Sequence, residues 1–460
     1  MAKYSSYNGV SCTSITLVND TTKGSINTIN GLEYCTGGGG SASTAWSRMY
    51  VGLDDYDLSW AASGSVSSKS AWYADTSDIR KPFGPFAGSG KAISEIAYGK
   101  DGSGNPMWVL KTGADTQSLH RITDANFVSG SRGVGSNQIS FRQWADPTGS
   151  AFTSSARPQT QVKQLTVAWG NNVWMSIGDL KTKKYIFRSV DGATWDPVII
   201  DTLSEMPTGN RSCTALTTDG NGNWWFGVVD KLYKSSDNGL TWSLQCTFDI
   251  TFGAYTNGNI QDLVYTNDTL VCLYRKGDSD PADGRIHARA APGSNTSTFA
   301  SSDGEAGWGT EVLLSGAGVG RYPDASGSPI MNAASTNKAV AANGRVAFHD
   351  TETMMFADVD GSASALADRL IIVTPRTDVG NGEHVNGNLN DVGTDGEGNW
   401  YVSADGDPKG SICENQFNGA HTGSGGSAGW VKVINGFPDD TDGTGNTKVH
   451  CFAINRYLPI

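Results

Sequence analysis

The side chains that could do acid–base, metal or nucleophilic chemistry are scattered along this 460-residue chain and not gathered into motifs. The six histidines (His120, His287, His349, His384, His421, His450) lack metal spacings such as His-Glu-x-x-His, and there is no Gly-x-Ser-x-Gly nucleophile elbow. The acidic runs Asp278-Ser279-Asp280 with Asp283, Asp405-Gly406-Asp407, and Asp439-Asp440 with Asp442 could offer oxygens to calcium. None has the spacing of a calcium loop, so they read as solvated turns. Of the nine glutamates, Glu205, Glu305, Glu383, Glu397 and Glu414 read as solvated loop residues. The seven cysteines (Cys12, Cys35, Cys213, Cys246, Cys272, Cys413, Cys451) are odd in number and form no Cys-x-x-Cys pair. Cys213, Cys272 and Cys451 sit in apolar runs, which predicts buried thiols and not a disulfide framework or a zinc site. No metal, cofactor or catalytic residue is assigned.

The elements that would position such groups are short strands. A phrase recurs three times: Asp101-Gly102-Ser103-Gly104-Asn105 before Trp108, Asp219-Gly220-Asn221-Gly222-Asn223-Trp224, and Asp395-Gly396-Glu397-Gly398-Asn399-Trp400. Each copy lies between two apolar runs, and Asp-Gly and Gly-Asn supply the positive-φ residues of tight hairpins. Such Gly-x-Gly phrases close hairpins and do not open helices, so they are not phosphate cradles. Three further hairpins turn at Gly170-Asn171-Asn172, Asn267-Asp268 and Asn343-Gly344. The six first strands begin near 94, 165, 213, 261, 339 and 389, and the commonest spacing of about 48 matches the ~40–50 residues of a four-stranded propeller blade.

Val449 to Ile454 reads as a seventh first strand. Its partners are expected from the N-terminal side, at Arg48 to Leu53, Leu58 to Ala62 and Ala71 to Ala74, so that both ends of the chain share one blade and close the ring. The expected fold is all-β, a β-propeller of seven four-stranded blades over residues 46–460, with six or eight as the alternatives. Residues 1–45, ending in Gly37-Gly38-Gly39-Gly40-Ser41, read as an N-terminal arm and flexible linker.

Two of the hairpins carry a longer signature. Ser235-Ser236-Asp237-Asn238-Gly239-Leu240-Thr241-Trp242 and the one-residue-shorter Ser189-Val190-Asp191-Gly192-Ala193-Thr194-Trp195 stand at the same offset in the 48-residue repeat. Ser301 and Asp303 with Trp308 form a degenerate third copy. The pattern resembles the Asp-box, Ser-x-Asp-x-Gly-x-Thr-Trp, of sialidase-like β-propellers. Its residues Ser189, Asp191, Gly192, Thr194, Trp195, Ser235, Asp237, Gly239, Thr241 and Trp242 are read as structural. The Asp accepts N–H bonds of its own turn, Gly takes positive φ, and Trp fills the blade interior. The resemblance implies turns at the blade periphery.

A sialidase resemblance would also imply three arginines for the substrate carboxylate, a Tyr–Glu nucleophile pair and an Asp acid/base at the axis. The nearest match to the first arginine motif is Arg121-Ile122-Thr123, which lacks the Pro and aligns with Arg188 and Lys234 in the Asp-box register. Trp72-Tyr73 and Trp224-Trp225 could stack on sugars, but alternation along a strand predicts packing within and between blades.

Composition narrows the function. There are 58 Gly, 14 Trp and 37 Asp in a chain of 17% charged residues, which argues against helices; 10% aromatics argue against disorder. The net charge of −12 works against nucleic acid. No apolar run approaches a membrane span, and the N-terminus lacks the apolar core of a secretory signal. A surface rich in Gly, Ser, Thr, Asn and Asp without a signal peptide is similar to that of bacteriophage virion proteins. The expectation is a non-enzymatic structural or adhesion module of a tail or capsid surface, joined to other virion proteins by its arm and able to contact host glycans. The alternative is a sialidase-like glycoside hydrolase.

Overall fold

The two-residue turns set the architecture. Asn171 and Asn172 (φ 47° and 59°) and Asn267 and Asp268 (φ 46° and 52°) hold left-handed backbone, which matches the right-handed twist of the strands they join. In the computed structural model, which describes residues 46–53, 58–62, 93–112, 119–123, 162–180, 183–200, 203–207, 215–251, 258–277, 285–293, 307–315, 338–342, 344–350, 354–359, 371–373, 389–394, 400–404, 411–415, 430–435 and 449–456 together with short pieces elsewhere, these turns organise seven antiparallel sheets.

Blade 1 is Ile93–Lys100, Pro106–Thr112 and Leu119–Thr123. Blade 2 is Val162–Gly170, Val173–Leu180, Lys183–Ser189 and Thr194–Ile199, with Ser140–Phe141 added in parallel to its outer edge. Blade 3 is Ala215–Thr218, Trp224–Val228, Lys231–Ser235 and Ser243–Thr247. Blade 4 is Asn259–Thr266, Thr269–Lys276, Arg285–Pro292 and Val312–Ser315. Blade 5 is Lys338–Ala342, Arg345–His349, Met354–Asp358 and Ile371–Val373. Blade 6 is Leu389–Thr394, Trp400–Ala404, Ser411–Asn415 and Trp430–Asn435.

The last sheet joins the two ends of the chain. Val449–Arg456 pairs antiparallel with Trp46–Leu53, which pairs with Leu58–Ala62. The first strand of each blade packs against the first strand of the next, and Val449–Arg456 packs against Ile93–Lys100, so the succession returns on itself. The fold is an all-β propeller of seven blades. Blades 1 and 7 have three strands among the described residues, not the expected four; the strand expected at Ala71 to Ala74 lies outside them. Glu414, expected in a loop, is in the third strand of blade 6 and faces Tyr401 across the ladder.

The core lies between sheets. Trp225 in blade 3 is buried and stacks on Tyr265 of blade 4, with ring centroids 5.3 Å apart. Gly227 lets Ile260 of blade 4 approach so closely that a Cβ would overlap its side chain. Phe226 faces the other way and packs on Tyr233 and Trp242 inside its own blade. Alternation thus sends successive side chains to the two faces of the sheet. Trp224 is buried as well, so core packing accounts for this pair; Trp72-Tyr73 lies outside the described residues. Cys272 and Cys451 are buried as expected, and so is Cys246; Cys213 lies outside the described residues. Among the described residues, no helix is long and apolar enough to cross a membrane.

Candidate functional site

Five of the seven first strands share an irregularity that aims their side chains. Pairing with the second strand slips at Ser94, Leu165, Gln261, Asn390 and His450, each the extra residue of a bulge. A bulge bends its strand and re-aims the next side chain. The residues that follow are Glu95, Thr166, Asp262, Asp391 and Cys451, and Lys338 holds the corresponding place in blade 5.

The three carboxylates at this position link neighbouring blades. Glu95 Oε1 accepts from Thr166 Oγ1 at 2.9 Å and from Val167 N at 3.2 Å in blade 2, while Lys111 Nζ lies 3.2 Å from Oε2. Asp262 accepts from its own Leu263 N at 2.8 Å and from Ala339 N of blade 5 at 2.8 Å. Asp391 accepts from Val392 N at 2.9 Å and from Phe452 N of blade 7 at 3.1 Å, and also bonds Lys338 of blade 5. In the two aspartates, one oxygen accepts from the N–H of the following residue and the other fixes the next first strand.

Lys338 feels the charges of both Asp391 and Glu95, and Asp262 feels those of Lys338 and Glu95. Blades 4, 5, 6 and 1 can share one electrostatic neighbourhood only around the ring axis. Burial pushes the Asp262 carboxyl up to about 7 against the pull of its two N–H donors and Lys338. Burial disfavours the Lys338 ammonium, but Asp391 more than offsets this and holds it charged. His349 is buried, and burial together with Lys338 pushes its pKa down to about 4, which keeps the imidazole neutral near pH 7. Among the described residues, no group of three or more His, Cys, Asp or Glu side chains could hold a metal ion.

A second charged cluster lies on blade 4, away from the first strand. Tyr274 donates to Glu311 Oε2 at 2.6 Å, the type of pair that sialidase chemistry calls for. The same carboxylate meets Lys276 Nζ at 2.8 Å, Arg289 Nη2 at 3.2 Å and His287 Nδ1 at 2.7 Å. Burial works to raise the Glu311 pKa, but these donors hold it far below the usual carboxylate range. Burial and the Glu311 charge push the Tyr274 phenol well above its ordinary value. A carboxylate so saturated is a poor base, and a phenol so raised is a poor nucleophile. Arg121 is on the third strand of blade 1, opposite Val109, and its charge reaches Asp191 of blade 2.

The turns at 189–195 and 235–242, where the Asp-box pattern was expected, connect third and outer strands in blades 2 and 3. Asp191 Oδ1 accepts from Ala193 N and Thr194 N at 2.8 Å each, and from Ser189 Oγ at 2.9 Å. Asp237 accepts from Leu240 N at 3.1 Å, Thr241 N at 2.9 Å and Thr241 Oγ1 at 2.6 Å. Ser189 Oγ and Ser235 Oγ each accept from the box glycine, Gly192 N and Gly239 N, at 2.8 Å. Trp195 Nε1 and Trp242 Nε1 donate back to Gly192 O and Gly239 O at 3.0 and 3.1 Å. Burial works to raise both aspartate pKa values, yet these bonds bring them below the ordinary value. The 235–242 turn also ties blades together: Asn171 Nδ2 and Arg188 Nε of blade 2 donate to Asn238 Oδ1 and Asn238 O of blade 3, each at 2.8 Å. Of the degenerate copy, Ser301 and Asp303 lie outside the described residues; Trp308 is buried against Phe248. Asp237→Ala is expected to cost about 1–2 kcal/mol, the worth of a lost local cap. A guanidinium titration followed by tryptophan fluorescence checks this, and an unchanged midpoint would rule out a stabilising box.

Reading the chain by hairpins passed over Glu95, Asp262, Lys338, Asp391 and Glu311. A signal for three of them does exist: Ile-Ser-Glu-Ile at 93–96, Ile-Gln-Asp-Leu at 260–263 and Leu-Asn-Asp-Val at 389–392 place an acid at one position of three first strands.

No protein-family model and no curated protein matches the chain. Among solved structures it is similar to YCF48 bound to D1 peptide, at 11% identity and TM-score 0.38 over 74% of this chain and 81% of that one. It is also similar to YCF48 from Cyanidioschyzon merolae, at 13% identity and TM-score 0.41 over 74% and 85% of the two chains. A third likeness is to the GH74 xyloglucanase from Xanthomonas campestris, at 9% identity and TM-score 0.40 over 74% of this chain and 46% of that one. Likeness at this level leaves the question of activity to the side chains.

Proposed function

We propose that the chain is a non-enzymatic structural and adhesion propeller, a bacteriophage tail or capsid-surface component that contacts host glycans and joins other virion proteins through residues 1–45. The observation that carries the non-enzymatic reading is the engagement of Glu95, Asp262 and Asp391. Each holds the next blade by accepting its backbone N–H, so the axial carboxylates act as fasteners between strands. The Tyr274–Glu311 pair is held by Lys276, Arg289 and His287 in the same manner.

Topology supplies a docking face. The first-to-second and third-to-fourth turns share one edge of the ring, where Asn238 N donates to Gly222 O at 3.0 Å. The opposite edge is where second strands end and third strands begin, and where each outer strand gives way to the next blade. Long connections on a rigid scaffold are the usual carriers of recognition. The composition, rich in Gly, Ser, Thr, Asn and Asp, supports the virion assignment.

The glycoside hydrolase reading keeps one specific support, the Asp262 pKa of about 7 at the axis, since a carboxyl so raised can serve as a general acid. A fluorogenic sialoside assay between acid and neutral pH decides between the two. No turnover is expected; turnover abolished by Asp262→Asn would establish the enzyme. For the virion assignment, the chain should be found in purified native particles, and its absence there would overturn it.

A further inference from the structure

Residues 4–36 carry a repeat far shorter than a blade. Tyr4 to Ser14, Ile15 to Ser25 and Ile26 to Thr36 are three consecutive 11-residue units. Each opens on a large apolar residue (Tyr4, Ile15, Ile26), places a second three residues on (Tyr7, Val18, Ile29), follows it with Asn (Asn8, Asn19, Asn30) and ends on Ser or Thr. The backbone repeats with the same period. Ser6–Tyr7 pairs with Val10–Ser11, Leu17–Val18 with Thr21–Thr22, and Thr28–Ile29 with Leu32–Glu33, so Tyr7, Val18 and Ile29 stand opposite Val10, Thr21 and Leu32. The arm expected as a linker thus contains three equivalent minimal hairpins, each turning at Asn-Gly or Asn-Asp.

A hairpin with two paired residues on each side does not hold itself together in water. Three such units, about 33 residues, also fall below the ~40 at which a chain can bury a core without disulfides, metals or association. A periodic apolar pattern is best matched by another surface of the same period, and the blades repeat at about 48 residues, not 11. Charge points the same way. Residues 1–45 carry Lys3 and Lys23 against Asp20 and Glu33, so the net charge of −12 belongs to residues 46–460. Two propellers repel each other, whereas two arms do not.

We propose that residues 4–36 dock on the same segment of other copies of this chain, making the protein a homo-oligomer joined at the arm, with the propellers set apart by the Gly37–Gly40 stretch. This does not depend on whether the propeller is an enzyme. Sedimentation velocity of the full chain is expected to give at least twice the monomer mass. The double variant Val18→Asp/Ile29→Asp should sediment as a monomer with the near-ultraviolet circular dichroism of its tryptophans unchanged. A monomeric parent chain, or an oligomer that survives the double substitution, overturns the proposal. As a separate check, two batches of an Asn19→Cys variant in which Cys12, Cys35, Cys213 and Cys413 are replaced by serine, labelled at position 19 with donor and acceptor dyes, should show energy transfer after mixing; its absence also overturns it.

Discussion

Asp391→Ala is expected to lower the unfolding free energy by about 3 kcal/mol, the low end of the range for removing one partner of a buried ion pair. Asp391 is 4% exposed and holds three donors: Val392 N, Phe452 N of the closing blade, and the Lys338 ammonium. Its loss strands all three. The low end applies because the Lys338 side chain is 36% exposed, so water recovers part of the ammonium's solvation. Adding Lys338→Met removes the stranded charge, and the double variant should regain part of the loss. Guanidinium titrations of the parent, both single variants and the double variant form a cycle. Additive effects would mean that the pair is not coupled and that the axial fastening is misread.

Glu311→Ala should cost a similar amount, about 3 kcal/mol at neutral pH, because Lys276 and Arg289 are left facing one another without a counter-charge and His287 loses its hydrogen-bond acceptor. The effect should depend on acidity. The Glu311 carboxyl is depressed in the folded chain, so it contributes fully above its unfolded pKa of about 4.3. That contribution is lost as the pH falls from there through the folded value. The gap between parent and Glu311→Ala should therefore be widest at neutral pH and narrow steadily in acid. Tyr274→Phe, which removes a single hydroxyl donor, should cost about 1 kcal/mol. Urea titrations at several pH values check all three statements; a gap that stays constant between neutral pH and pH 3 would show that Glu311 carries no net ionic role.

The hairpins were legible because turn chemistry is local. Asn171-Asn172 and Asn267-Asp268 announce left-handed backbone in two residues, and the strands on either side follow. The spacing of their first strands then gives the blade count. Ring closure was legible for the same reason: Val449 to Ile454 had the pattern of a first strand without followers. The axial fasteners are a different matter. Glu95, Asp262, Lys338 and Asp391 lie far apart along the chain, and each looks like a single charge in an apolar strand. Only the bulge before each acid, a property of pairing and not of composition, turns the side chain toward the next blade. Glu311 was obscured similarly, since Tyr274, Lys276, His287 and Arg289 reach it from two other strands. The 11-residue units of the arm do not show at the ~40–50-residue period of a blade.

The sheet shared by both ends of the ring also sets an order of events during synthesis. Trp46–Leu53 is made early and Val449–Arg456 late, and a ribosome working at roughly 5–20 residues per second separates them by about 20–80 s. Throughout that interval Ile93–Lys100 lacks one flanking blade, and Asp391, once made, must wait for Phe452 N. Until then the growing chain is an open arc in which Trp46–Leu53 lacks its partner strand, and only Val449–Arg456 converts it into a ring. A message cut short before residue 449 would leave that arc as its end product, with Trp46–Leu53 lacking its partner and suited to joining another unfinished chain.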